Sequence, residues 1–170
     1  MLPLARTALA LFAFSLAFSP PGAFADPPGR ITALATGSTE DRGISKIVWL
    51  QAAQTVAGSL EATGSAIVMQ VDPTHAFGDF SLIASVVCLR AEAGPRVTAG
   101  LRLVWGLGTA LGHAGEMFYV TLESQSASAG TGLFDNGGFA PGAPDCNTEI
   151  GIPGLGSPFV TGGVVLNEVP

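Results

Sequence analysis

The stretch RVTAGLRLVW, residues 96–105, decides the fold class. Val97, Ala99, Leu101, Leu103 and Trp105 share one parity, and Arg96, Thr98, Gly100 and Arg102 share the other. That period of two marks a strand with one buried face. It makes Leu101 a core residue and Arg102 a solvent residue. Upstream, DFSLIASVVCL (79–89) places Phe80, Leu82, Ala84, Val86 and Cys88 on one face, and Ser81 and Ser85 with Ile83 and Val87 on the other. The connecting RAEAGP carries Gly94-Pro95, a turn signal. Residues 79–105 are therefore expected to form an antiparallel hairpin.

Further strands follow outward. EMFYVTLES (116–124) aligns Phe118, Val120 and Leu122, and SAIVMQV (65–71) is rich in β-branched residues. PFVTGGVVLNEV (158–169) reads as a closing strand with a bulge at Gly162-Gly163, and Ile31–Thr36 as an early one. GISKIVWLQAAQTV (43–56) stays open. Ile44, Ile47, Val48 and Gln51 have helical spacing, with Ser38-Thr39-Glu40-Asp41 able to cap, yet its β-branched residues and Trp49 suit a strand. The all-β context favours the strand. The expected fold is a single-domain antiparallel β-sandwich or flattened β-barrel over residues 26–170.

Residues 1–25 read as a signal peptide. Arg6 precedes an apolar run from Ala8 to Phe18, and a Pro-Pro break leads to Ala23-Phe24-Ala25. The run is too short to span a bilayer, so no membrane span is expected in the mature chain, and the expected location is secreted or periplasmic. The chain carries a net charge of −6, with 12% charged residues, 23 Gly and 12 Pro. With no basic cluster, nucleic acid is not an expected partner; an envelope or extracellular ligand is.

In an exported chain the two cysteines, Cys88 and Cys146, are expected to form a disulfide. No CxxC or neighbouring His completes a metal site around them. VDPTHAFGD (71–79) sets His75 between Asp72 and Asp79, a pairing able to tune a general base, although Asp-Pro and Gly78 also describe an ordinary loop. His113, in GLGTALGHAGE (106–116), reads as a solvated loop residue without a phosphate-binding pattern. GLFDNGGFAPGAPDC (132–146) offers Asp135, Asn136 and Asp145 as calcium ligands, but Asn136-Gly137 reads more readily as a tight turn with positive φ at Gly137. No nucleophile elbow, zinc helix or EF-hand loop occurs, and no cofactor is expected.

The ordered set VVCLRAEAGPRVTAG, FYVTLES, FDNGGFAPGAPDC and VTGGVVL resembles a group of small exported bacterial proteins of unknown function. The matching positions are Val86–Leu89, Val97–Gly100, Asp135–Gly137, Pro144-Asp145 and Gly162–Leu166, across roughly residues 64–168. The resemblance implies an all-β exported domain and no particular activity. The leading expectation is a non-catalytic β-domain that binds or scaffolds at or beyond the cell envelope. Two alternatives are a small exported hydrolase or isomerase using His75 with Asp72 or Asp79, and a calcium-stabilised adhesion module.

Overall fold

The computed structural model describes residues 30–92, 94–124, 132–142, 146 and 156–168. Residues 1–25, read as the signal peptide, lie outside them. Eight strands follow in chain order: β1 (Ile31–Asp41), β2 (Ile44–Gln54), β3 (Glu61–Val71), β4 (Phe80–Ala91), β5 (Arg96–Gly108), β6 (Met117–Glu123), β7 (Leu133–Ala140) and β8 (Ser157–Glu168). Each pairs antiparallel with the next, and β8 returns to β1 to close a barrel. The all-β expectation holds, and closure selects the barrel over the sandwich. Closure gives every strand two neighbours, the β7–β8 seam being the shortest, with Leu133↔Pro158 and Phe134↔Ser157 paired among the described residues. No described helix is long and apolar enough to cross a membrane.

Alternation builds the interior. Val48, Leu50 and Ala52 of β2, Ala66 and Val68 of β3, Leu82, Ala84 and Val86 of β4, and Val97, Ala99, Leu101 and Leu103 of β5 form one buried cluster with Phe118, Val120, Leu122 and Phe134. Many of these residues are alanine or valine. Eight strands enclose only enough room for side chains, and small residues fill it. The open segment at 43–56 is thus a strand. Its inward positions run Lys46, Val48, Leu50, Ala52 and Gln54, a period of two that overrides the helical spacing of Ile44, Ile47 and Gln51. Leu101 is fully buried and Arg102 exposed, as their parity requires.

Polar groups close the two ends. At the lower rim, buried Gln54 accepts from the Ile31 N–H and donates to the Leu89 carbonyl, joining β1 to β4. At the upper rim, Gln70 donates to the Gly78 carbonyl, and buried Ala110 from the β5–β6 loop packs against Gly106. The β1–β2 connection there is Arg42-Gly43, both at positive φ, as a two-residue hairpin turn requires.

Two sequence readings change. The bulge in β8 falls at Val160, skipped between Thr39↔Phe159 and Ser38↔Thr161, not at Gly162-Gly163. Gly162 instead sits directly opposite Gly37, each at positive φ. A Cβ on Gly162 would collide with the carbonyl oxygen of Thr36, and one on Gly37 with that of Thr161. Gly162→Ala should therefore cost ~1–3 kcal/mol in urea unfolding, because backbone rather than a flexible side chain must yield. A cost below ~0.5 kcal/mol, the size of an ordinary surface change, would contradict this close approach. The second change concerns Asp135-Asn136-Gly137, which forms no turn between strands. All three residues lie within β7. Val120 faces Asn136 while Phe118 faces Phe139, so Gly137 and Gly138 together oppose Tyr119 in a β-bulge. The same glycines that suggested a turn serve to insert one extra residue into a strand.

Candidate functional site

Cys88 and Cys146 are disulfide-bonded, with Cα atoms 6.0 Å apart and a sequence separation of 58. The bond lies on the outer wall of β5, over Gly100, where a Cβ would strike Cys88 Sγ; a bulge that skips Val87 turns Cys88 outward, which corrects its grouping with Phe80, Leu82, Ala84 and Val86. Around it the outward residues Arg96, Thr98, Met117, Tyr119 and Thr121 are buried as well. This corrects the expectation of a half-buried strand at 96–100: β5 and β6 are covered on both faces there. Alternation finds the inward face but cannot reveal a second covering layer. At the adjoining hairpin, Glu92 lies 3.1 Å from Arg90 and 3.0 Å from Arg96, and accepts from the Thr98 hydroxyl. These ion pairs tie the β4–β5 turn to the covered wall.

In the loop around His75 both carboxylates are engaged by loop donors. The Asp72 carboxylate accepts from Thr74 Oγ1 at 2.5 Å and from the N–H groups of Thr74, Phe77 and Gly78 at 2.9, 2.6 and 3.2 Å. Asp79 Oδ1 accepts from the Asp72 N–H at 2.7 Å. His75 is exposed, holds positive φ, and uses its backbone N–H to donate to the Asp72 carbonyl. Both carboxylates thus organise the loop from Asp72 to Asp79. The Thr74 hydroxyl, then the Phe77 N–H and the remaining loop donors, lower the Asp72 pKa to about 2, although burial opposes them. A lowered carboxyl contributes stability that is complete above its unfolded value of about 3.9 and is lost as pH falls through about 2. The stability gap between wild type and Asp72→Asn should therefore be constant from pH 7 to about 4 and narrow between pH 4 and 2. A gap independent of pH down to 2 would contradict the loop network.

Of the three candidate calcium ligands, the two that are described each already hold a partner within the fold. Asn136 Oδ1 accepts from Lys46 Nζ at 2.6 Å, Asp135 Oδ1 accepts from the Asn136 N–H at 2.8 Å, and Asp145 lies outside the described residues. No group of three or more His, Cys, Asp or Glu able to hold a metal occurs among the described residues. Millimolar Ca²⁺ should leave the melting curve unchanged, since only a bound ion stabilises. A rise that disappears in Asp135→Ala would restore the calcium reading.

The upper rim holds polar residues that the sequence did not single out. Lys46 points inward from β2, with Nζ 5.6 Å from the Phe134 ring centroid. Desolvation lowers its pKa, while Asp135 and Asp41 act in the opposite direction. Cross-strand from it, the buried Thr39 hydroxyl has no hydrogen-bond partner among the described residues. His113 is not simply solvated. Its Nδ1 lies 2.8 Å from Glu116 Oε2, and its ring stacks on Phe139 with centroids 4.4 Å apart. Phe139 in turn meets Phe118, and Phe118 meets Phe80. The His113-x-x-Glu116 spacing was a readable signal for the pair. Lys46 was readable only after 43–56 had been assigned as a strand. At this rim Lys46 pairs with Asn136 and His113 with Glu116.

The outer wall presents a different feature. Trp49, Ile67, Ile83 and Trp105 stand opposite one another across β2, β3, β4 and β5, in register. All four point outward, and Ile67, Ile83 and Trp105 are 40%, 44% and 46% exposed. Two residues along, Ile47, Met69 and Leu107 add a second exposed row, interrupted by Ser81. Val104 is bulged out and also exposed, and this bulge turns Trp105 outward, which corrects the parity that groups it with Leu101 and Leu103 on the buried face. On the lower side the band ends at the polar row Gln51, Ser65, Ser85 and Arg102. No Asp, Glu, Lys or Arg lies within the band.

No protein-family model, curated protein or solved structure matches the chain.

Proposed function

We propose that this chain is an exported, non-catalytic barrel that binds or scaffolds through its outer wall, at or beyond the cell envelope. The observation that carries this reading is the contrast between the two faces of β2–β5. Inward, a continuous apolar cluster fills the barrel; outward, large apolar side chains line up in exposed register. A ligand-carrying barrel or an enzyme relies on a concave site where polar groups converge. Here Lys46, His113 and Asp72 are each taken up by neighbours in the fold. Large exposed apolar patches on water-facing proteins mark interaction surfaces.

Export is supported by the leader-like residues 1–25 and by the disulfide. The row Gln51, Ser65, Ser85 and Arg102 suits water, whereas a membrane-spanning barrel needs an apolar belt around its whole outer face. The test is saturable association of purified protein with isolated cell envelopes. Trp105→Ser should abolish it and His75→Ala should leave it unchanged. Turnover of an ester, glycoside or peptide substrate that disappears in His75→Ala would replace this reading with the hydrolase alternative.

A further inference from the structure

We infer that the partner of the β2–β5 band is a second copy of this chain, joined by a two-fold axis parallel to the strands. This rests on the outer-wall reading above, with the paired barrel as the unit that associates with the envelope, so that loss of pairing in Trp105→Ser also loses that association. The row Trp49, Ile67, Ile83, Trp105 reads the same in both directions. A two-fold contact demands that kind of self-complementarity, because the same patch must serve both sides. With the axis between β3 and β4, Trp49 of each copy meets Trp105 of the other, and Ile67 meets Ile83.

Size and curvature fit the same arrangement. A barrel wall is convex, so two walls touch closely along the middle strands and diverge toward the flanking ones. Isoleucines occupy the middle and tryptophans the flanks, so the longer side chains bridge the widening gap. With Ile47, Met69, Val104 and Leu107, the band gathers eight large apolar side chains, seven of them 40–59% exposed, into one patch of the kind monomers rarely leave uncovered.

Charge favours the second copy as well. The band contains no ionisable group, so stacking it on itself buries no unpaired charge. The single cation on its border, Arg102, falls opposite Gln51 of the second copy rather than against its equivalent. A net charge of −6 makes the protomers repel at a distance, so salt should tighten the contact.

Sedimentation equilibrium of the expressed chain, as processed by the cell that makes it, tests this directly. The expected result is a dimer whose dissociation constant falls on raising NaCl from 50 to 500 mM. Ile83→Glu should raise that constant at least a hundredfold, and Val160→Glu, on the opposite wall, should change it less than threefold. Trp105→Ser serves as a second probe if Ile83→Glu loses the β-sheet circular dichroism of the wild type. Three results would overturn the proposal: a folded wild-type monomer at 100 μM in 500 mM salt, a dimer indifferent to both band substitutions, or capture of the band by phosphatidylcholine vesicles in place of self-association. A monomer whose envelope association is still lost in Trp105→Ser removes only the second copy. A monomer whose envelope association ignores the band removes the outer-wall reading too.

Discussion

Replacing Cys88 and Cys146 together with alanine is expected to lower stability by about 4 kcal/mol. The bond closes a loop across a sequence separation of 58, and the chain-entropy argument gives ~3 kcal/mol for a 15-residue loop and ~4.7 for a 100-residue one. At this chain length the loss corresponds to a melting temperature lower by roughly 10 °C or more. The effect should not be uniform over the barrel. Cys146 lies against the outer wall of β5 and β6, so exchange protection at Thr98, Tyr119 and Thr121 should fall first. Val48 and Val68, inside the opposite wall, should keep theirs until global unfolding. Gly100→Val should reproduce the loss, because its side chain would occupy the site of Cys88 Sγ. A double-alanine variant within ~1 kcal/mol of wild type would contradict the role assigned to the bond.

Leu101→Ala carries the second large effect. Leu101 is fully buried within the barrel and faces Phe118 and Val86 across the sheet. Truncation removes buried methyl groups from a closed interior in which every wall is hydrogen-bonded to its neighbours. Collapse around the cavity is limited, and a loss of ~2–5 kcal/mol is expected. The adjacent Arg102→Ala should cost about 0.5 kcal/mol or less, since that side chain is in solvent. Urea unfolding of the pair reads the register of β5 directly. Equal losses at both positions would contradict it.

The alternation of residues 96–105 and 79–89 was enough to establish the class, because one face of each strand is uniformly apolar. Barrel closure was not legible. It depends on β7, and FDNGG reads locally as a turn because Asn-Gly is the commonest hairpin signal. The pairing of β7 with β6 on one side and β8 on the other overrides that local preference, with Gly137 and Gly138 accommodated in a bulge. The disulfide was legible from cysteine count and compartment alone. Lys46 and its neighbours were not, since a single lysine in a segment open between helix and strand gives no direction. The band on the outer wall was hidden for another reason. Trp49, Ile67, Ile83 and Trp105 come from four separate strands, and only cross-strand register aligns them. In the sequence Ile83 shares its parity with Ser81 and Ser85, which hides that its cross-strand neighbours, Ile67 and Trp105, are exposed apolar side chains.

Function at the outer wall rather than at the barrel's end is tested most directly through the two indoles. The chain contains only two tryptophans, Trp49 and Trp105, and both belong to the band. Their indole N–H resonances give two isolated signals in a ¹⁵N correlation spectrum. On adding solubilised envelope, or on raising protein concentration, both indoles should shift or broaden together with the amides of Ile67 and Ile83, while those of Lys46, His75 and His113 stay in place. Perturbation confined to Lys46, His113 and the loop from Asp72 to Asp79, with both indoles unmoved, would contradict the account and return the function to the rim of the barrel.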